Sequence, residues 1–190
     1  CLQDGKWQFV NSAIPTGKEN HVTIVKNMLP QEREFMLYLP LYDGIDKLEI
    51  GIDPGAEIVA SELNSPDREN PIVMYGTSIL QGASASRPGM AATNIIGRRF
   101  DREVVNLGFS ANAFLDKEIA ELMSEVEASA YVLDFVPNAS VSQIKELTIP
   151  FYRILRKKHR TTPIIFVEDP QFPSAVYNRV LAAEIRAKNE

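Results

Sequence analysis

Apolar and polar positions follow one rhythm in the first sixty residues of the chain and another beyond them. Up to residue 60 the apolar side chains come in short runs rich in β-branched and aromatic residues. These are "KWQFV", "HVTIVKNM", "EFMLYLPL" and "KLEIGI", separated by "PTGKEN", "LPQERE" and "YDGIDK". Short runs bounded by turn residues predict strands joined by turns. Asp4-Gly5 is a hairpin signal with only "CLQ" ahead of it, so the strand that should pair with "KWQFV" is expected to be mostly absent. The stretch "SELNSPDRENP" (61–71) has almost no apolar content and two prolines, the composition of an exposed connection. It divides the chain into a partial β domain (1–62), a linker (63–70) and a second domain (71–190).

In that second domain strands and helices alternate. "PIVMYG", "EVVNLGF", "AYVLDFV" and "PIIFVED" read as strands, and helices are expected near 90–101, 115–127, 141–159 and 174–188. Such alternation means parallel strands with crossover helices, a three-layer α/β sheet of flavodoxin-like type. Ile119, Leu122, Met123 and Val126 fall at i, i+3, i+4 and i+7 and should form one apolar stripe. Ser140 and Gln143 make an S-x-x-Q capping box, so the third helix should begin just after "VPNA". Pro150 lies within that helix and should kink it.

Composition narrows the functions. With 45% hydrophobic residues over 190 positions the chain can bury a real core. Its 25 acidic and 20 basic residues give a net charge of −5. The densest cationic cluster, "RILRKKHR" (153–160), reads as the solvated end of a helix, and nucleic acid is not an expected partner. The lone cysteine, Cys1, rules out an internal disulfide framework. It is either a chance cut point in a longer chain or the acylated first residue of a lipoprotein. No run is long and apolar enough for a membrane span, and no signal peptide is visible. Neither metal-ligand spacing nor a phosphate-loop motif is present, so no cofactor is expected.

In an open parallel sheet, ligands bind outside the carboxyl ends of the strands. That rule gathers Ser78, then Ser110, Ala111 and Asn112, then Asn138, and finally Glu168 and Asp169 onto one edge. "YGTSILQG", "VVNLGFSAN" and "LDFVPNAS", each at the end of a successive strand, resemble the first three sequence blocks of the SGNH (GDSL-type) hydrolases. The resemblance implies that Ser78 is the nucleophile. It also implies an oxyanion hole made of the Ser78 and Ala111 N–H groups and the Asn138 side-chain amide. Thr77 stands where the GDSL pattern has aspartate, and Ala111 where N-x-G-x-S-G has its last glycine. If that position needs a positive φ, alanine costs around 1 kcal/mol there. Arg87 in "ASRPGMA" either reaches an anionic substrate group or bonds a loop carbonyl, and Asn112 is a further candidate for binding substrate. "LYLPLYDGIDKLEIGI" and "FVEDP" extend the likeness to the subgroup that carries a small N-terminal β-sandwich.

A serine hydroxyl needs a base, and the chain holds two histidines. His21 lies in the N-terminal β segment. His159 ends a helix at the amino edge of the sheet, opposite Ser78. In SGNH hydrolases the acid and base arrive as D-x-x-H after a fifth strand, which this chain lacks, so a fragment trimmed at both ends is expected. Asp169 has no histidine to orient and reads as a cap or turn residue. The expected activity is therefore a serine esterase acting on a small acyl ester, an acetylated carbohydrate being the favoured class. The competing expectation is a glycan-binding module on the same scaffold without catalysis. The resemblance also implies an exported bacterial protein.

Overall fold

The computed structural model describes residues 1–61 and 70–168. The chain divides into two compact units, Cys1–Asn64 and Ser65–Glu190.

The first unit opens with a hairpin. β1 (Leu2–Gln3) pairs antiparallel with β2 (Lys6–Trp7), with Leu2 opposite Trp7 and Gln3 opposite Lys6. Asp4 and Gly5 both have positive φ, 48° and 71°, the geometry that lets a two-residue turn match strand twist. The strand before the turn is thus short but paired. Among the described residues of this unit these are the only strands. Two of the other predicted strands are reached by single bonds, Leu2 N–H to the Glu34 carbonyl and the Asn11 amide to the Ile24 carbonyl. The expected sandwich is seen only as this small antiparallel sheet. Burial of an alternating face requires a second sheet about 10 Å away. Without ladder partners, Ile24, Leu37 and Ile50 stay exposed.

The second unit is built on four parallel strands: β3 (Ile72–Gly76), β4 (Val104–Gly108), β5 (Ala130–Asp134) and β6 (Ile164–Phe166). They lie in the order β4-β3-β5-β6. Gly76 ends β3 level with Gly108 on one side and Asp134 on the other. The connections are α1 (Ser78–Gln81), a 3₁₀ turn (Pro88–Met90) and α2 (Ala92–Phe100) between β3 and β4, α3 (Lys117–Met123) before β5, and α4 (Val141–Lys158) before β6. The helix expected at 174–188 lies outside the described residues.

Each strand sends alternate side chains to opposite faces. Val73, Tyr75, Tyr131 and Leu133 bury one face against Ile144, Phe151 and Leu155 of α4 and Ala120 and Met123 of α3. Tyr75 stacks on Phe151 with ring centroids 5.2 Å apart. Asn106 points to the other face, where its amide bonds Thr93 of α2. The capping box forms as expected: the Ser140 hydroxyl accepts from the Gln143 N–H, and the Gln143 side chain accepts from the Ser140 N–H. The helix it starts remains continuous through Pro150 to Lys158.

The apolar stripe of α3 differs from its expected form. The helix stops at Met123, where the Ser124 hydroxyl donates to the Glu121 carbonyl, so Val126 falls outside it. Ile119, Ala120 and Met123 turn inward, and Leu122, about 100° from their centre, is 60% exposed.

Three side chains in this core have consequences for stability. Thr148 is buried on the sheet side of α4, and its hydroxyl has no partner among the described residues. An unpaired buried hydroxyl costs on the order of 1 kcal/mol or more. Thr148→Val, similar in shape, should raise the unfolding free energy by about 1 kcal/mol, read as a higher urea midpoint at unchanged slope. Burial also pushes the Tyr75 and Tyr131 phenols up to about 12. A raised folded-state pKa holds its stabilisation below the unfolded value near 10 and loses it as pH rises towards 12. Urea midpoints should therefore fall between pH 10 and 12, and less steeply in Tyr75→Phe.

Candidate active site

The strand order places a crevice at the carboxyl edge. From β3 the chain crosses to β4 on one side, then passes back over β3 to reach β5 on the other. The carboxyl ends of β3 and β5 flank this reversal, where open α/β sheets bind ligands. Ser78 stands two residues beyond Gly76 of β3, and Asn138 four residues beyond Asp134 of β5. Ala111 stands three beyond Gly108 of β4. Neighbouring strands are about 4.8 Å apart, so the three loops start within roughly 10 Å of one another.

Ser78 is the first residue of α1. Thr77 caps that helix: it is fully buried and its hydroxyl accepts from the Ile79 N–H at 3.3 Å. Gly82, at φ 115°, closes the helix by donating to the Ser78 and Ile79 carbonyls. The short helix is packed hard against the strand ends. A Cβ at Gly76 would lie 2.6 Å from the Asp134 carbonyl oxygen, and one at Gly108 would collide with the Gln81 backbone.

Ala111 has φ 56°, so the position does demand the left-handed conformation that glycine accepts freely. It sits in a turn closed by the Asn112 N–H on the Phe109 carbonyl at 3.1 Å. Asn138 faces this loop from β5. Its Oδ1 lies 3.5 Å from the Ala113 N–H, a long contact that sets the amide beside the loop carrying Ala111.

The other candidates divide. Asn112 is exposed and its amide donates to the Ser110 carbonyl, so it braces its own turn. Arg87 is half-buried in an extended conformation just ahead of the 3₁₀ turn, with Nη1 3.4 Å from the Ser86 hydroxyl. Glu168 is exposed just past β6, and Asp169 lies outside the described residues. His159 caps the end of α4, 4% exposed. Its Nε2 is 2.8 Å from the Ser124 carbonyl and its ring packs on Tyr131, at the amino end of β5. It is a structural histidine at the edge opposite Ser78. His21, in the other unit, is exposed beside Glu19.

Two further residues at the site have no counterpart among the sequence-derived candidates. The Gln81 side chain accepts from the Ser110 N–H at 3.1 Å. Asn106 accepts from the Gly108 N–H at 2.9 Å and donates to the Leu80 and Gln81 carbonyls and the Thr93 hydroxyl. A polar residue inside the strand run "VVNLG" was the available signal for Asn106. A cleft of about 560 Å³ lies elsewhere: Leu115, Leu147, Pro150, Phe151 and Ile154 line it between α3 and α4. It contains no nucleophile.

The profile of the GDSL-like lipase/acylhydrolase family matches residues 69–190. The chain belongs to this family. A second profile, for the N-terminus of SGNH-hydrolase-type esterases, matches residues 2–58. A crystal structure from Bacteroides ovatus described as a GDSL-like lipase is 39% identical, with a TM-score of 0.70, over 80% of this chain and 48% of its own. The chain thus spans about half the length of that relative. A salicylyl-acyltransferase from a tetracycline biosynthetic pathway is 20% identical, with a TM-score of 0.57, over 70% of this chain and 41% of its own, a likeness of fold. No curated protein matches the chain.

The strain at Ala111 can be measured directly. Ala111→Gly should relieve a left-handed alanine and raise the unfolding free energy by up to about 1 kcal/mol, less the added entropy of the unfolded chain. A midpoint lowered by the full entropic cost of a glycine, about 0.4–1 kcal/mol, would show that the turn bears no such strain.

Proposed function

We propose that the protein is a serine esterase that hydrolyses a small acyl ester, with an acetylated carbohydrate as the favoured substrate class. The observation that supports this reading is that Ser78, the Ala111 turn and Asn138 follow the carboxyl ends of three adjacent strands, β3 and β5 flanking the topological reversal.

The Ser78 hydroxyl attacks the ester carbonyl and gives its proton to a base. Negative charge moves onto the carbonyl oxygen, where the Ser78 and Ala111 N–H groups and Asn138 Nδ2 stabilise it. Donors fixed in advance are worth about 10²–10³ in rate each. Asn138 suits that task because its amide stands beside the Ala111 loop, with its oxygen towards the Ala113 N–H, and its amine carries two donors. The tetrahedral species then expels the alcohol, which leaves with the proton, and water hydrolyses the acyl-serine. Another alcohol in place of water would make the same intermediate an acyl donor. The SGNH resemblance implies a D-x-x-H histidine as that base, and neither His21 nor His159 fills the role, since one lies in the other unit and the other is buried at the opposite edge of the sheet.

In the full-length protein, Ser78→Ala should reduce turnover of p-nitrophenyl acetate to the buffer rate with an unchanged circular dichroism spectrum. Asn138→Ala should cost about 10²–10³ in kcat. Peptide mapping after a fluorophosphonate probe should find the adduct on Ser78. Retained turnover in Ser78→Ala would sink the assignment, and a folded protein that binds oligosaccharides but takes no adduct would favour a glycan-binding module.

A further inference from the structure

We infer that Gln81 is a positioning residue for the oxyanion donor: it ties the helix that carries the nucleophile to the turn that carries the Ala111 N–H. The inference rests on the esterase reading above and deepens it. Gln81 lies three residues after Ser78 on α1, and its side-chain oxygen accepts from the Ser110 N–H at 3.1 Å. Ser110 immediately precedes Ala111. One side chain therefore spans the gap between two groups that have to act on the same carbonyl.

The turn needs such a hold. Alanine at φ 56° favours relaxation out of the left-handed region, which would swing its N–H. Bonds on either side of the turn oppose that movement. The Phe109 N–H donates to the Gly76 carbonyl at 2.8 Å, and the Asn112 N–H closes the turn on the Phe109 carbonyl at 3.1 Å. On the α1 side the hold is Gln81, whose own backbone is fixed by the Asn106 amide on the Leu80 and Gln81 carbonyls. Gly108 allows this approach, since any side chain there would meet the Gln81 backbone. The hydrogen bond thus sets where Ala111 stands relative to Ser78, and it acts through the turn.

A positioning role has a kinetic signature. Gln81→Met keeps the length of the side chain and removes its strong acceptor. Ser110→Pro removes the donor, and proline fits the second position of the Phe109–Asn112 turn. In the full-length protein each variant should lower kcat on p-nitrophenyl acetate about 10- to 100-fold at unchanged KM, as expected for a misplaced donor. The rate of fluorophosphonate adduct formation, which also charges an oxygen in the hole, should fall by the same factor. The double variant should fall no further than either single one, because both break the same bond.

Wild-type kcat in Gln81→Met, or losses that multiply in the double variant, would overturn the inference. Should Gln81→Met fail to fold, Ser110→Pro tests the same bond, and wild-type kcat in it is equally decisive against the proposal. Ser78→Ala run alongside separates the two levels. If it is inactive while Gln81→Met is not, the positioning role alone fails; if it is active, the esterase reading beneath it fails.

Discussion

Close approach of a four-residue helix to the ends of two strands is the constraint from which the site follows. Gly76 and Gly108 end neighbouring strands in register, and neither position has room for a Cβ. The missing side chains let α1 settle directly over the strand ends, so its first residue emerges at the reversal of strand order rather than out over solvent. Asn106 then consumes the helix's last carbonyls from within β4. A strand interior is a costly place for an amide unless its bonding capacity is used. Here its oxygen and its amine are both engaged, which makes the amide a rivet between strand, α1 and α2.

The opposite face of the sheet supplies the rigidity this arrangement needs. Tyr75 is packed on Phe151 and its hydroxyl accepts from the Leu115 N–H, whose residue is itself left-handed at φ 65°. The same strand that delivers Ser78 therefore also pins the far end of the loop running from Ala111 to α3. The active edge and the core share β3 as a common support.

What could be read from sequence was local or periodic. The parallel alternation, the hairpin at Asp4-Gly5 and the box at Ser140 and Gln143 are each encoded within a few residues, and all three appear in the structure. α1 was not foreseen, because "SILQ" is too short to show a helical period. The outward turn of Leu122 depends on where α3 ends, and Ser124 decides that through one side-chain bond. The N-terminal strands had the right residue types, yet pairing is a property of two segments together. At the site, the candidates Ser78, Ala111 and Asn138 came from motif likeness. The bonds that hold their loops, from Gln81 to Ser110 and from Asn138 to Ala113, join residues more than twenty positions apart, beyond the reach of local patterning.

Thr77 replaces a carboxylic acid with a neutral alcohol directly beneath the nucleophile. An aspartate cap weakens as it takes up a proton near pH 4. A hydroxyl has nothing to titrate there, and Thr77 is fully buried with its bond to Ile79 already made. The start of α1 is therefore insulated from acidification, so an acidic habitat would reach the reaction through the base and the substrate before it disturbed the seat of the serine.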